Sequence, residues 1–104
     1  MKKVRIISHH KAAQRDINHA VAHYQREGGY VLALRFLRHL EMMLAKAAAH
    51  PGRFSKRVGK FRRANLIDFP YHFLFASDDT KLEVVLVRYN GRHPAYGLHR
   101  RSSL

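Results

Sequence analysis

Between residues 60 and 90 three short apolar runs follow one another with only tight turns between them, and this arrangement leaves few folds open. Residues 61–67, 71–77 and 82–89 are rich in aromatic and branched side chains, which suit a pleated, half-buried surface. Pro70 separates the first two runs, and Asp78-Asp79-Thr80 separates the second from the third. Connections this short predict an antiparallel meander, because a parallel pairing needs a crossover of about a dozen residues or more. The third run is apolar on both faces (Leu82, Val84 and Leu86; Val85 and Val87), so it reads as a central strand.

The preceding half reads as one strand and two helices. Residues 3–8 alternate Val4 and Ile6 against Arg5 and Ile7, a first short strand. Ser8 then offers a hydroxyl to cap a helix. From His10 to Glu27, Ala13, Ile17, Ala20, Val21 and Tyr24 recur at steps of three and four. Arg15, Asp16, Asn18, His19 and Arg26 fall largely outside that stripe, and Gly28-Gly29 closes the helix. A second stripe (Ala33, Phe36, Leu37, Leu40, Met43, Leu44, Ala47) predicts a helix over residues 30–49, stopped by Pro51-Gly52. The expected fold is therefore α+β, a two-helix hairpin packed on a small, mostly antiparallel sheet in the order βααβββ. It forms a single domain over 1–104, with the second sheet face left partly open.

Charge narrows the partners. Lys and Arg number 20 against seven Asp and Glu, a formal net charge of +13 on 104 residues. An excess of this size attracts phosphate backbones, acidic protein segments or anionic lipid. No stretch approaches the roughly 20 apolar residues of a membrane span, so no membrane partner is expected. Met1-Lys2-Lys3 opens onto a strand pattern and not onto the apolar core of a leader, and cysteine is absent. A cytoplasmic location is the expectation.

Two basic clusters bracket the meander. Arg53, Lys56, Arg57, Lys60, Arg62 and Arg63 lead in, suited to neutralising several phosphates or gripping an acidic partner. Arg88, Arg92, His93, Tyr96, His99, Arg100 and Arg101 lead out. Metal-free cleavage of RNA needs a proton acceptor, a proton donor and cations around phosphorus. His93 and Tyr96 are candidates to exchange protons, with Arg62, Arg63 and Arg92 as candidates to hold the phosphate. The same residues also suit plain packing and binding, Tyr96 fixing the tail on the core and the arginines meeting an acidic partner. Asp16, His19 and His23 share a helical face, but a solvated pair of histidines explains that spacing better than a metal site. No metal or other cofactor is expected.

The turn His50-Pro51-Gly52, the stretch Arg62-Arg63-Ala64-Asn65-Leu66-Ile67-Asp68-Phe69-Pro70-Tyr71-His72-Phe73 and the closing Val87-Arg88-Tyr89-Asn90-Gly91-Arg92-His93-Pro94 resemble the RelE/ParE toxin superfamily. The resemblance implies the toxin of a bacterial type II toxin–antitoxin system, of the kind linked to plasmid stabilisation. It implies a growth inhibitor neutralised by a cognate acidic antitoxin. One branch of the family cuts ribosome-bound mRNA without metal, and the ParE branch poisons DNA gyrase. By this resemblance Arg62 or Arg63 match the strand arginines, Arg92 the basic residue after the last strand, and Tyr96 the C-terminal tyrosine of the ribonuclease branch. Asn90 stands where relatives often carry His, Gly97 follows Tyr96 where many carry Trp, and Ile67-Asp68-Phe69 replaces a phosphate-binding arginine. These departures favour the gyrase-directed branch over the ribonuclease. A non-enzymatic nucleic-acid-binding module is the third reading. Oligomeric state is not encoded in any of these features.

Overall fold

The most apolar run of the chain lies where both of its faces are covered. In the computed structural model, which describes residues 4–104, this run is β5 (Lys81–Tyr89). It is flanked by β1 (Ile6–His9) and β4 (Tyr71–Ser77), and β3 (Phe61–Asn65) and β2 (Lys56–Val58) complete a five-stranded sheet ordered β1-β5-β4-β3-β2. β2 to β5 are antiparallel neighbours, whereas β1 runs parallel to β5, pairing Ile6 with Lys81 and His9 with Val84. Asp78 fixes the β4–β5 turn by accepting from the backbone N–H groups of Thr80 (2.9 Å) and Lys81 (2.8 Å).

The expected βααβββ order with a two-helix hairpin is overturned. A single helical element, α1 (Lys11–Ala49), replaces the pair, and the sheet has five strands. Gly28 and Gly29 do not end α1; they bend it, leaving helical geometry at φ −142° and φ 76° respectively. A straight helix of 39 residues would be about 58 Å long, while the longest dimension of the molecule is 38 Å. Tyr24 and Phe36, on opposite sides of the bend, accordingly bring their rings to 5.2 Å. Only glycine holds the positive φ at position 29 without strain. Gly29→Ala is expected to cost about 1–2 kcal/mol, read as a lower urea midpoint with an unchanged denaturant slope. The strand missed from the sequence, β2, is three exposed residues with no apolar alternation, paired through Lys56–Arg62 and Val58–Phe61.

Two smaller expectations also change. α1 is capped by His10, whose Nδ1 accepts from the Ala12 N–H at 3.0 Å, and not by Ser8, which belongs to β1. The first strand begins at Ile6; Lys3, where it was expected to begin, lies outside the described residues, as do Met1 and Lys2.

The main core lies between α1 and one sheet face. Phe36, Phe73, Phe75, Leu82 and Val84 are fully enclosed there. Leu74, Val85 and Leu86 form a smaller cluster joined by Phe61 and by Leu98 of the tail. The face expected to be partly open is thus partly covered by residues 90–104. Among the described residues no helix is long and apolar enough to cross a membrane.

Candidate functional site

The parallel pairing of β1 ends at His9, which leaves the rest of the β5 edge in need of partners. Asp16, one turn into α1, supplies them. Its Oδ2 accepts from the Val87 N–H at 3.0 Å and from Arg100 at 2.6 Å, while Oδ1 accepts from the Tyr96 hydroxyl at 2.6 Å. Arg100 also donates to the Val85 carbonyl at 3.0 Å. One buried carboxylate therefore closes a strand edge and ties down the tail. Burial works against the Arg100 charge, but the hydrogen bonds and charge of Asp16, aided by Tyr96, outweigh it and raise the Arg100 pKa. Asp16 thus lies on the packed side of α1, contrary to the expectation that it falls outside the stripe.

The tail has a second anchor. Glu83, also buried, accepts from Ser102 Oγ at 2.7 Å and from the Ser103 N–H and Oγ at 2.8 and 2.9 Å. Burial opposes the Glu83 charge; the two serines, together with nearby His10, overcome it and hold its pKa below the ordinary value.

Strand alternation sends Arg62 and Arg63 to opposite faces. Arg62 donates to the Phe54 carbonyl at 2.7 Å. On the other face Arg63 donates to Asn65 Oδ1 at 2.9 Å, near Arg57 and Arg88. Burial, and then the neighbouring guanidinium, lower the pKa of both Arg63 and Arg88. Beneath them lies His72, 1% exposed. Arg88 Nε donates to His72 Nε2 at 2.8 Å, so Nδ1 carries the proton and donates to Asn90 Oδ1 at 2.7 Å. Arg88 also donates to the carbonyls of Pro94 (2.8 Å) and Tyr96 (3.1 Å), which joins this cluster to the tail.

Burial lowers the His72 pKa to about 4, helped by Arg63 and Arg88 and opposed by the Asn90 hydrogen bond. The ordinary value is 6.5, so the unfolded chain takes up a proton that the folded one refuses. The stability tied to neutral His72 is complete above pH 6.5 and falls away as the pH drops to about 4. It amounts to at most about 3 kcal/mol. Urea unfolding of His72→Gln, which keeps an acceptor for Arg88, is expected to lose that slope between pH 6.5 and 4.

The remaining expected site residues are distributed as follows. Arg53, Lys56, Arg57, Lys60 and Arg101 are exposed, and Lys60 Nζ donates to the Leu104 backbone oxygen. Arg92 is exposed, with its guanidinium 4.1 Å from the centre of the Tyr96 ring. His93 is exposed, and its Nδ1 accepts from the Ala95 N–H at 3.0 Å. The structure thus brings together Arg57, Arg63 and Arg88 on one face and Arg92 with Tyr96 at the sheet's end. It commits the Tyr96 hydroxyl and Arg100 to Asp16. Sequence reasoning did not reach His72, Asn90 or Asp16 as organising residues. The signal for His72 was its step-of-two spacing from Leu74 and Ala76, both of which are buried.

No protein-family model matches the sequence, and no curated protein matches it. Among solved structures, a chain of the one described as "Chromosomal ParDE TA system from P. aeruginosa" superposes with a TM-score of 0.71 at 13% identity, covering 83% of this chain and 96% of that one. At that identity the likeness establishes architecture: the chain has the fold of this ParDE chain, in agreement with the RelE/ParE resemblance carried by residues 62–73 and 87–94.

Proposed function

We propose that this protein is the toxin of a type II toxin–antitoxin system, a growth inhibitor neutralised by a cognate acidic antitoxin and directed at DNA gyrase. The observation that carries the toxin reading is the fold shared over 83% of the chain with a member of a ParDE system. Binding of an acidic partner is supported by the arginine face of Arg57, Arg63 and Arg88, and by the exposure of Arg53, Lys56, Lys60 and Arg101 elsewhere on the surface.

The choice of gyrase over ribosome-bound mRNA is supported by where the proton-transfer groups are. A ribonuclease needs a free acid and base beside its cations. Here the Tyr96 hydroxyl is held by Asp16, His93 Nδ1 accepts a backbone N–H, and His72 is enclosed beneath Arg88. These contacts tie up the Tyr96 hydroxyl, one nitrogen of His93 and the ring of His72, the groups nearest the arginines of the sheet and tail.

Induction in growing bacteria is expected to arrest growth, and co-expression of an adjacent small acidic reading frame is expected to relieve it. The purified protein is expected to inhibit supercoiling by gyrase and to leave ribosome-bound mRNA intact. Cleavage of that mRNA, abolished in the Arg92→Ala/Tyr96→Phe pair, would replace the gyrase reading with the ribonuclease one. Tight nucleic-acid binding without growth arrest would replace both with a binding module.

A further inference from the structure

On the α1 side of the sheet, where β5 gives way to the tail, lies an open cleft of about 190 Å³. His19 and His23 form its helical wall, Tyr71 and Tyr89 stand at the strand ends, and Arg92 and Tyr96 come from the tail. Arg88 also lines the cleft, but its guanidinium is taken up by His72 and by the carbonyls of Pro94 and Tyr96.

The chemistry of the lining is one-sided. Arg92 makes no ion pair among the described residues and lies over the Tyr96 ring. The one carboxylate in the lining, Asp16, is already occupied by Val87, Tyr96 and Arg100. Burial and then the neighbouring Tyr89 phenol raise the pKa of Tyr71, against the pull of Arg92, so its hydroxyl stays protonated as a donor. A guanidinium, a phenol and two imidazoles therefore face a common space with no anion to satisfy them. Guanidinium groups match the oxygens of a phosphate with two parallel donors.

A flat surface adjoins these donors. Tyr89 is 51% exposed, packs edge-on against Tyr71 at 5.9 Å, and is followed by Gly91, where an added Cβ would lie 2.5 Å from the Tyr89 ring. The missing side chain at 91 leaves the ring its position. Aromatic faces of this kind stack nucleobases without regard to their identity.

We propose that this cleft binds a nucleoside phosphate, with the phosphate on Arg92, His19, His23 and the Tyr71 hydroxyl and the base against Tyr89. The ligand is a free mononucleotide or the phosphorylated 5′ end of a strand, since both present the same group. The proposal does not rest on the toxin reading, and growth arrest does not enter its test.

The test is a titration of the ¹⁵N-labelled full chain, followed by amide NMR in about 0.15 M salt, where long-range attraction is largely screened. The probes are adenosine 5′-monophosphate, adenosine, inorganic phosphate, and a tetranucleotide with and without a 5′-phosphate. Saturable shifts around positions 19, 23, 71, 89 and 92 are expected, with the monophosphate or the 5′-phosphorylated strand binding at least about tenfold more tightly than its unphosphorylated counterpart. Preference for the monophosphate names a free nucleotide as the ligand, and preference for the phosphorylated strand names a terminus. Arg92→Gln, at an exposed position, is expected to weaken binding at least about tenfold. Tyr71→Phe, which removes only a hydroxyl, is expected to weaken it with the amide spectrum otherwise preserved. Equal binding by the phosphorylated and unphosphorylated forms of each probe would overturn the proposal. So would unchanged affinity in both variants, or shifts centred on Arg57 and Arg63 and away from the cleft.

Discussion

Asp16→Ala is expected to lower the stability of the protein by about 3–5 kcal/mol, because it strands a buried guanidinium. The Asp16 and Arg100 side chains are only 4% and 8% exposed, and their closest approach is 2.6 Å. Removing the carboxylate leaves three donors (the Val87 N–H, the Tyr96 hydroxyl and Arg100) without their acceptor. At roughly 4–8 °C per kcal/mol for a domain of this size, the melting temperature should fall by more than about 10 °C. A second measurement separates the charge from the packing. The double variant Asp16→Leu/Arg100→Met should recover much of the loss, since an apolar pair carries no desolvation cost. A double variant no more stable than Asp16→Ala would show that the pair acts through shape and not through charge. Tryptic cleavage within residues 90–104 should also rise in Asp16→Ala, because Tyr96 and Arg100 hold that segment down.

Phe36→Ala is expected to have a comparable effect, about 3–5 kcal/mol, for a different reason. Phe36 is fully buried, and its ring lies 5.2 Å from Tyr24, 5.5 Å from Phe69 and 5.2 Å from Tyr71. It joins the two arms of α1 to each other and to the turn that precedes β4. The cavity cannot close easily, since each neighbour is itself held by other rings. Urea unfolding should show a lower midpoint, whereas Phe36→Leu should cost clearly less. Equal losses for the two substitutions would mean that the site collapses around the missing ring.

The sequence made the sheet legible where apolar residues crowd both faces of a strand. The runs at 71–77 and 82–89 match β4 and β5 to within a residue, because a strand buried on both sides has little freedom to shift. β2 could not be found this way: it contributes no buried side chain and exists only through its pairing with β3. The glycine pair was misread because glycine ends helices and bends them by the same left-handed conformation, and only the packing of Tyr24 on Phe36 decides between the two. Strand alternation in the sequence already set Lys60 and Arg62 on one side of the sheet and Arg63 on the other, but not which of the basic residues are tied to the tail. Those ties are contacts such as Arg88 to Pro94 and Arg100 to Asp16, which have no local signature. A carboxylate within the spacing Ala13, Asp16, Ile17, Ala20 was the one available hint that a chain so rich in arginine would bury one of them.

The pairing of β1 with β5 sets the order in which this molecule can assemble. During synthesis the first strand leaves the ribosome more than seventy positions ahead of its partner, as the register of Ile6 with Lys81 requires. Until that partner emerges, neither the closed edge beside Asp16 nor the cleft beneath Arg92 exists. Any activity these surfaces carry therefore begins only once β5 and the segment after it have emerged, after most of the helical layer has already been exposed to its surroundings.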